Sequence, residues 1–475
     1  MPSQNNATDV SVKKLEIKGA SGAQDLNPYF QELSIFEDIF RPALTAKLVL
    51  LDSHNLPYKL PIVGEETVDI DISLTGFGDG QDSEAYSIKP PPMHVNSLNA
   101  RSVVDPKKPK AQRFTLELVS ETFMSSLHSK VSKSYNNNRI SDIVNDIYYK
   151  YLYDDKSGLT AEQTERIERV VIPNLSPFDA IAWLAKRAGT SEPLIVSGVN
   201  YVYYETMRGS FFISLNSLVE KPSIFKFIQR PRLEDPSGVE NAAAGIIKIK
   251  DFKFVKQFDK RENTSRGVYS SKLITHDIVT KKITQFEYGG FNEWFGFSHC
   301  GDFPPLSNSE VETRSSKVTR TSHAPSSEAN AYPTTDERSL NNMIDSRVEF
   351  YPKHNQMYAQ NLNDLYDNKV ETWKLRRNSH MGIYDGINIL IEASGNSALR
   401  VGMTVSLFLP SPETTDKDKK SDTVDDKFLS GKYMVTAIQH IFSRGKEKVT
   451  YNMKVELSKD GLEEIVDTRK SRKED

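Results

Sequence analysis

Apolar residues recur at every second position in several stretches near the start of the chain. In Glu66 to Leu74 the residues Val68, Ile70, Ile72 and Leu74 alternate with Thr67, Asp69, Asp71 and Ser73, which places the apolar set on one face of a strand. Leu44 to Leu51 reads Leu-Thr-Ala-Lys-Leu-Val-Leu-Leu and stops at Asp52-Ser53, too short for a helix and bounded by turn residues. Phe114, Leu116 and Leu118 repeat the alternation after a proline-rich loop at Lys89 to Met93. The pattern predicts an antiparallel sheet or small barrel over the first ~120 residues.

Beyond Ser120 the period lengthens. Ile140, Val144, Ile147 and Tyr151 fall at helical spacing with Ser141 as the expected cap. A second helix is expected from Pro177 to Ala188, with Ser176 as N-cap, Asp179 three residues on, and Gly189 as its end. Tyr201 to Glu205 and Ser210 to Leu215 flank Met207-Arg208-Gly209, a hairpin signal. Short strand-like runs follow at Ile246 to Ile249 and Lys272 to Ile278, and then Ser307 to Leu340 turns polar, as in a surface excursion or linker. Met357, Tyr358, Leu362, Leu365, Tyr366 and Val370 predict another helix. Ile387 to Ile391, Val401 to Leu409, Tyr433 to His440 and Val449 to Leu457 have strand composition, interrupted by a charged insertion at Ser411 to Asp426.

The length, 475 residues, calls for three or four folding units. With 37% hydrophobic and 26% charged residues the balance is that of a globular protein. No stretch approaches the ~20 apolar residues of a membrane helix, and Met1 to Val10 lacks a signal-peptide pattern, so folding in the cytoplasm and no stable membrane binding are expected. The single cysteine, Cys300, forms no internal disulfide and argues against a thiolate metal site. A net charge of -3 argues against a protein that grips nucleic acid. Asp105 to Lys110 is locally basic but carries two prolines, the composition of a solvated loop.

The C-terminal strings Leu399 to Leu407, Leu429 to His440 and Tyr451 to Asp460 resemble the closing barrel of baseplate hub proteins from contractile-tailed bacteriophages. Ile35 to Phe40, the strand to Asp52-Ser53, and Leu60 to Glu66 resemble that family's opening barrel. Val131 to Tyr151, Pro173 to Ala188 and Gly267 to Ser271 are similar to its middle portion. None of these strings is a chemical signature; their weight lies in four separated regions standing in the family's order.

The resemblance implies an α+β, mostly β fold with two tube-like antiparallel β-barrel domains bracketing mixed α/β middle domains. The expected division is 8–119 for the first barrel, 120–235 for a mixed domain, 236–306 for a β-rich piece, 307–345 for a polar linker, 346–465 for the second barrel and 466–475 for a charged tail. It further implies a homotrimer in which paired barrels reconcile a threefold spike with a sixfold tube. The implied partners are the central spike protein, a tail tube or tube-initiator protein, baseplate wedge proteins and the tape-measure protein, with DNA only in passage through the channel. The implied location is the tail baseplate of the virion, after assembly in the host cytoplasm. The hub of a type VI or other contractile injection system is a close alternative, and a tail-associated cell-wall hydrolase or a host-surface adhesin lies further off.

No enzymatic activity, cofactor or metal site is expected. Gly76 to Gly80 lacks the spacing and the following helix of a dinucleotide loop. Glu65 and Glu66, as neighbours in a strand, point to opposite faces and cannot share an acid/base site. His299-Cys300 places a base beside a nucleophile, but adjacency in sequence is no evidence for such a pair. Phe291, Trp294, Phe295 and Phe297 form an aromatic cluster that is either core or, if exposed, an anchor for a partner, and Phe36 and Phe40 are further candidate partner contacts.

Overall fold

The computed structural model describes residues 9–20, 22–74, 87–104, 110–152, 158–189, 199–229, 248–290, 294, 297–302, 344–356, 366–411, 425–446 and 448–463. The fold is mostly β with some helices. The first strands are β1 (Asp9–Gly19), β2 (Gly22–Asp25), β3 (Phe30–Asp38), β4 (Thr45–Asp52), β5 (Thr67–Leu74), β6 (Ser87–Ile88), β7 (Met93–Val103) and β8 (Gln112–Ser120), with the short helix α1 (Leu56–Lys59) after β4. A mixed region follows: α2 (Glu121–His128), β9 (Val131–Arg139), α3 (Ile140–Ile147), β10 (Leu159–Ala161), β11 (Ile167–Leu175), α4 (Pro177–Ala185), β12 (Tyr201–Thr206), β13 (Gly209–Ser214) and α5 (Leu215–Glu220). The remainder is β14 (Phe225–Ile228), β15 (Ile249–Lys256), α6 (Lys260–Arg266), β16 (Ser270–Asp277), β17 (Lys282–Gly289), β18 (Val348–Pro352), α7 (Val370–Tyr384), β19 (Ile387–Ser394), β20 (Thr404–Phe408), β21 (Gly431–Arg444) and β22 (Val449–Lys459).

The alternation read in the sequence is realised. Val68, Ile70, Ile72 and Leu74 of β5 and Phe114, Leu116 and Leu118 of β8 are all buried in one large apolar cluster, each such side chain adding about 1.5–3 kcal/mol of burial. The hairpin β12–β13 turns at Met207-Arg208, with Gly209 at a φ of 143° that a side chain would strain.

Strand pairing returns on itself twice. β21 pairs β3, and the ladder runs on through β4, β8, β7, β5 and β1 to β22, which pairs β21 again. In the other direction β21 pairs β20, β20 pairs β14, a single bridge from Ile228 to Lys248 reaches the start of β15, and β15 leads through β19 back to β22. The two circuits share the β21–β22 hairpin. One edge of β21 is divided between them: Gly431 to Met434 bond β20, and Ala437 to Ser443 bond β3. The β21–β22 register shifts between Val435 and Ala437, at that changeover. A bulge bends a strand and raises its twist, so it re-aims β21 from one circuit to the other. Neither circuit is built from one end of the chain alone: the first needs β21 and β22, and the second takes β14 and β15 from the middle.

Local chemistry sets the helix ends. At α4 the Ser176 hydroxyl accepts from the Asp179 amide at 3.2 Å, and Pro177 occupies the first turn. Ser141, expected as the cap of α3, is instead inside its first turn. Arg139 holds the cap position without a side-chain bond, and the Ser141 hydroxyl is engaged with Thr164. The helix runs on into a π-turn over Tyr148–Leu152, whose wider pitch buries Tyr148 and Leu152 and leaves Tyr151 half-buried.

Of the helix expected around Met357 to Val370, Met357, Tyr358, Leu362 and Leu365 lie outside the described residues. Tyr366 is not helical, and Val370 opens α7. The long α7 escaped the periodicity because its buried side carries Ser379, His380 and Gly382 beside Val370, Trp373 and Leu375. Lys369 precedes it at a φ of 42°, a left-handed conformation that costs a side-chain residue about 1–2 kcal/mol. Lys369→Gly is therefore expected to raise stability by up to about 1 kcal/mol, part of the relief being lost to the freer unfolded chain. A shift of the urea midpoint to higher concentration checks it. The loop expected at Gly76 to Gly80, residues 105–109 of the one expected at Asp105 to Lys110, the polar stretch Ser307 to Leu340, residues 246–247 of the strand expected at Ile246 to Ile249, and residues 412–424 of the charged insertion also lie outside the described residues.

Candidate functional site

The candidate site is the seam where the two circuits and the β12–β13 hairpin meet. Glu205, at the end of β12, is buried, and its Oε2 accepts from the Leu44 amide at 3.0 Å, the Ser120 hydroxyl at 2.6 Å and the Thr122 hydroxyl at 3.0 Å. Ser120 is also the N-cap residue of α2, yet it makes no side-chain cap bond because its hydroxyl is committed to Glu205. The hairpin is thereby bound to the ends of β4 and β8. On its other side Glu37 of β3 takes the Met207 amide at 2.8 Å. Glu162 binds the Ser214 amide at 2.8 Å and the Ser217 hydroxyl at 2.8 Å, fixing the start of α5. Three acidic side chains thus tie the hairpin and its following helix to their surroundings through backbone and hydroxyl donors.

Inside the first circuit, His440 of β21 is fully buried, with Nδ1 2.7 Å from the Tyr451 hydroxyl, and burial pushes it down to about 3, so it is neutral. Tyr451 stacks on Phe442 at 4.5 Å. A Cβ on Gly395 would lie 2.0 Å from the Tyr451 ring, so this strand end accepts only glycine without repacking.

Each candidate residue from the sequence has a definite place, or none that can be described. Phe36 is half-buried on β3. Phe40 is 48% exposed and lines a groove of about 500 Å³ with Arg266, Arg347, Met381, Tyr384 and Asp385. Trp294 is buried and stacks on His299 at 3.5 Å, the core side of the alternative left open for the aromatic cluster. Phe297 is half-buried and meets His380 edge-on at 3.5 Å. Phe291 and Phe295 lie outside the described residues.

The His299-Cys300 pair is structural. His299 Nδ1 lies 2.7 Å from Asp460 Oδ2 and its Nε2 lies 2.9 Å from the Trp294 carbonyl, so both ring nitrogens are occupied. The Cys300 amide donates to Asp460 Oδ1 at 2.8 Å. Burial holds the Cys300 thiol well above its usual range, in the unreactive neutral form. Glu66 is buried and caps the preceding turn by accepting from the Val63 and Gly64 amides, each at 2.9 Å, while Glu65 faces solvent. Among the described residues no three of His, Cys, Asp and Glu are grouped to hold a metal.

Sequence reasoning missed Glu37, Glu162, Glu205 and Asp460. Glu37 carried a usable signal: Leu33, Ile35, Glu37 and Ile39 share one phase of the alternation, so a carboxyl stands at an inward position. The others had none, since their partners, hydroxyls, amides and for Asp460 the His299 ring, are far away in sequence.

A scan of protein-family models and a search of curated proteins each find no match to this chain. Solved structures with a similar course include a tail protein from Neisseria meningitidis MC58, at 10% identity and a TM-score of 0.49, covering 94% of this chain and 97% of that one. The prophage MuSo2 43 kDa tail protein from Shewanella oneidensis is similar at 10% identity and a TM-score of 0.49, covering 94% and 98%. A chain of the Francisella PdpA-VgrG complex is similar at 11% identity and a TM-score of 0.44, covering 98% of this chain but 55% of that one. Likeness at these scores describes the course of the chain and decides nothing about function.

Proposed function

We propose that the chain is a structural baseplate hub subunit, three copies of which form a pseudo-sixfold ring joining the central spike to the tail tube around a channel. The observation that carries the reading is the double closure of strand pairing within one chain. Each circuit makes one β-cylinder, so three chains set six around a bore. Closed ladders suit this role because they leave few free edges for unwanted pairing.

In this reading residues 8–119 and 346–465 contribute most of the two tube-like cylinders, with 120–235 and 236–306 as the outer mixed and β-rich parts, 307–345 as a linker and 466–475 as a tail. The spike, the tube or its initiator, the wedge proteins and the tape measure are the partners, and the place of action is the tail baseplate of the virion. The role is passive. The carboxylate clamps hold the hairpin and helices against the cylinders, which is what a load-bearing adaptor needs, and the His299-Cys300 pair serves the same end. Phe40 and its groove are proposed as one contact surface. Counting copies per particle by quantitative mass spectrometry of purified tails should give three of this chain; one or six would overturn the proposal.

A further inference from the structure

Strands β17, β16 and β18 form a separate sheet, in that order. Side chains alternate between the two faces of a strand, and in this sheet both faces carry large apolar groups. On the inner face Leu273 and Tyr288 are buried in one cluster with Val370, Trp373 and Leu375 of α7, and Phe286 and Tyr351 pack against it. On the outer face Phe350 lies beside Ile274, Val348 beside Lys272, and Ile283 and Pro352 on either side of His276. Phe350 is 72% exposed, Ile283 62% and Val348 39%, so no described part of the chain lies over them. A sheet face that stands in water ordinarily carries polar side chains. Here the charged and titratable groups are confined to the ends, Lys272 and Glu287 at one and His276 at the other, which gives the apolar centre and polar rim of a docking surface.

We propose that this outer face docks an amphipathic α-helix of a partner protein, seated on it as α7 is seated on the inner face. The dimensions set the occupant. Three strands about 4.8 Å apart and the five residues of β18 at about 3.3 Å each give a face of roughly 10 by 17 Å. A helix is about 10–12 Å across and covers that length in about eleven residues. The inner face, built from the same strands, already holds a helix by the same kind of side chain. Phe350, the largest and most exposed ring of the outer face, is the anchor of the contact.

Two other occupants fit less well. A second copy of this chain, held through this face alone, needs about 800 Å² on each side, several times what a face of this size offers. An extended strand has both edges of the sheet, β17 and β18, to pair with, but strand addition widens a sheet sideways and leaves Phe350 and Ile283 in water. A helix laid on the face covers both.

Fluorescence anisotropy of the full chain with three labelled synthetic peptides tests the proposal. Each peptide has about 14 residues, enough to cross the face as a helix, and all three share one composition of Leu, Ala, Glu and Lys. One carries its leucines at helical spacing, one at every second position and one dispersed. The helical peptide is expected to bind at least roughly tenfold more tightly than the other two, and Phe350→Ser and Ile283→Ser should each weaken it roughly tenfold. Both positions are exposed, so the variants should unfold at the wild-type urea midpoint. Phe258→Ser, outside this sheet and at a residue 79% exposed, should bind as the wild type does. No binding, equal binding of the three peptides, tighter binding of the alternating one, or binding that survives both Phe350→Ser and Ile283→Ser overturns the proposal. So does a dimer in sedimentation that Phe350→Ser dissolves, since a second copy then covers the face. The docking face does not rest on the trimeric ring, and its failure leaves the hub proposal standing.

Discussion

Val435→Asp is expected to leave no assembled protein. Val435 is fully buried in β21 at the point where that strand passes from one circuit to the other, and its amide and carbonyl bond Met403 and Gly402. A carboxylate at this fully buried strand position must either be buried as a charge or hold a proton, at a cost of about 4–5 kcal/mol or more. Domains of ordinary stability have about 5–15 kcal/mol to lose. Val405→Asp, at an equally buried site in β20 opposite Tyr433, should behave alike but damage the second circuit first. Soluble yield and the urea midpoint of both variants check this. A Val435→Asp protein that unfolds at the wild-type midpoint would show that the shared hairpin is not the spine of the fold.

Glu205→Ala is expected to destabilise by about 3 kcal/mol, because it removes one acceptor from three buried donors. The loss falls short of three full penalties, since the Ser120 and Thr122 hydroxyls lie 2.9 Å apart and can satisfy each other once the carboxylate is gone. The Leu44 amide has no such substitute. Glu205→Gln retains an acceptor and should lose about 1 kcal/mol, the difference between a charge-assisted and a neutral bond. Urea unfolding of both variants gives the two numbers. A double-mutant cycle with Ser120→Ala should be strongly non-additive, as groups sharing one network are. Additive losses would mean that Glu205 does not bind the hairpin through Ser120.

Much of the strand content was legible because burial on one face leaves a period of two in the letters. Val68 to Leu74 and Phe114 to Leu118 announced their faces and are buried on them. What alternation does not carry is partnership. Nothing in Asp9-Val10 or Val449-Thr450 says that the two ends of the chain pair, and nothing in Val435-Thr436-Ala437 announces the bulge that divides β21 between two circuits. Helix α7 was illegible for a different reason: its inward face holds polar groups satisfied by distant carbonyls, as Ser379 is by Val268 at 2.6 Å. Of the site, Glu37 could have been found as a carboxyl in an apolar phase. Glu205 could not, because every residue of β12 is buried and the strand shows no alternation at all.

The central claim is that one chain folds into two closed β-cylinders joined by a common hairpin and that three chains place six of them around an opening. Cryo-electron microscopy of the assembled baseplate tests it most directly. The account predicts a threefold ring with six cylinders of density, adjacent pairs in each chain joined through β21 and β22; a ring with one cylinder per chain, or density in which β21 meets only one set of strands, would contradict it.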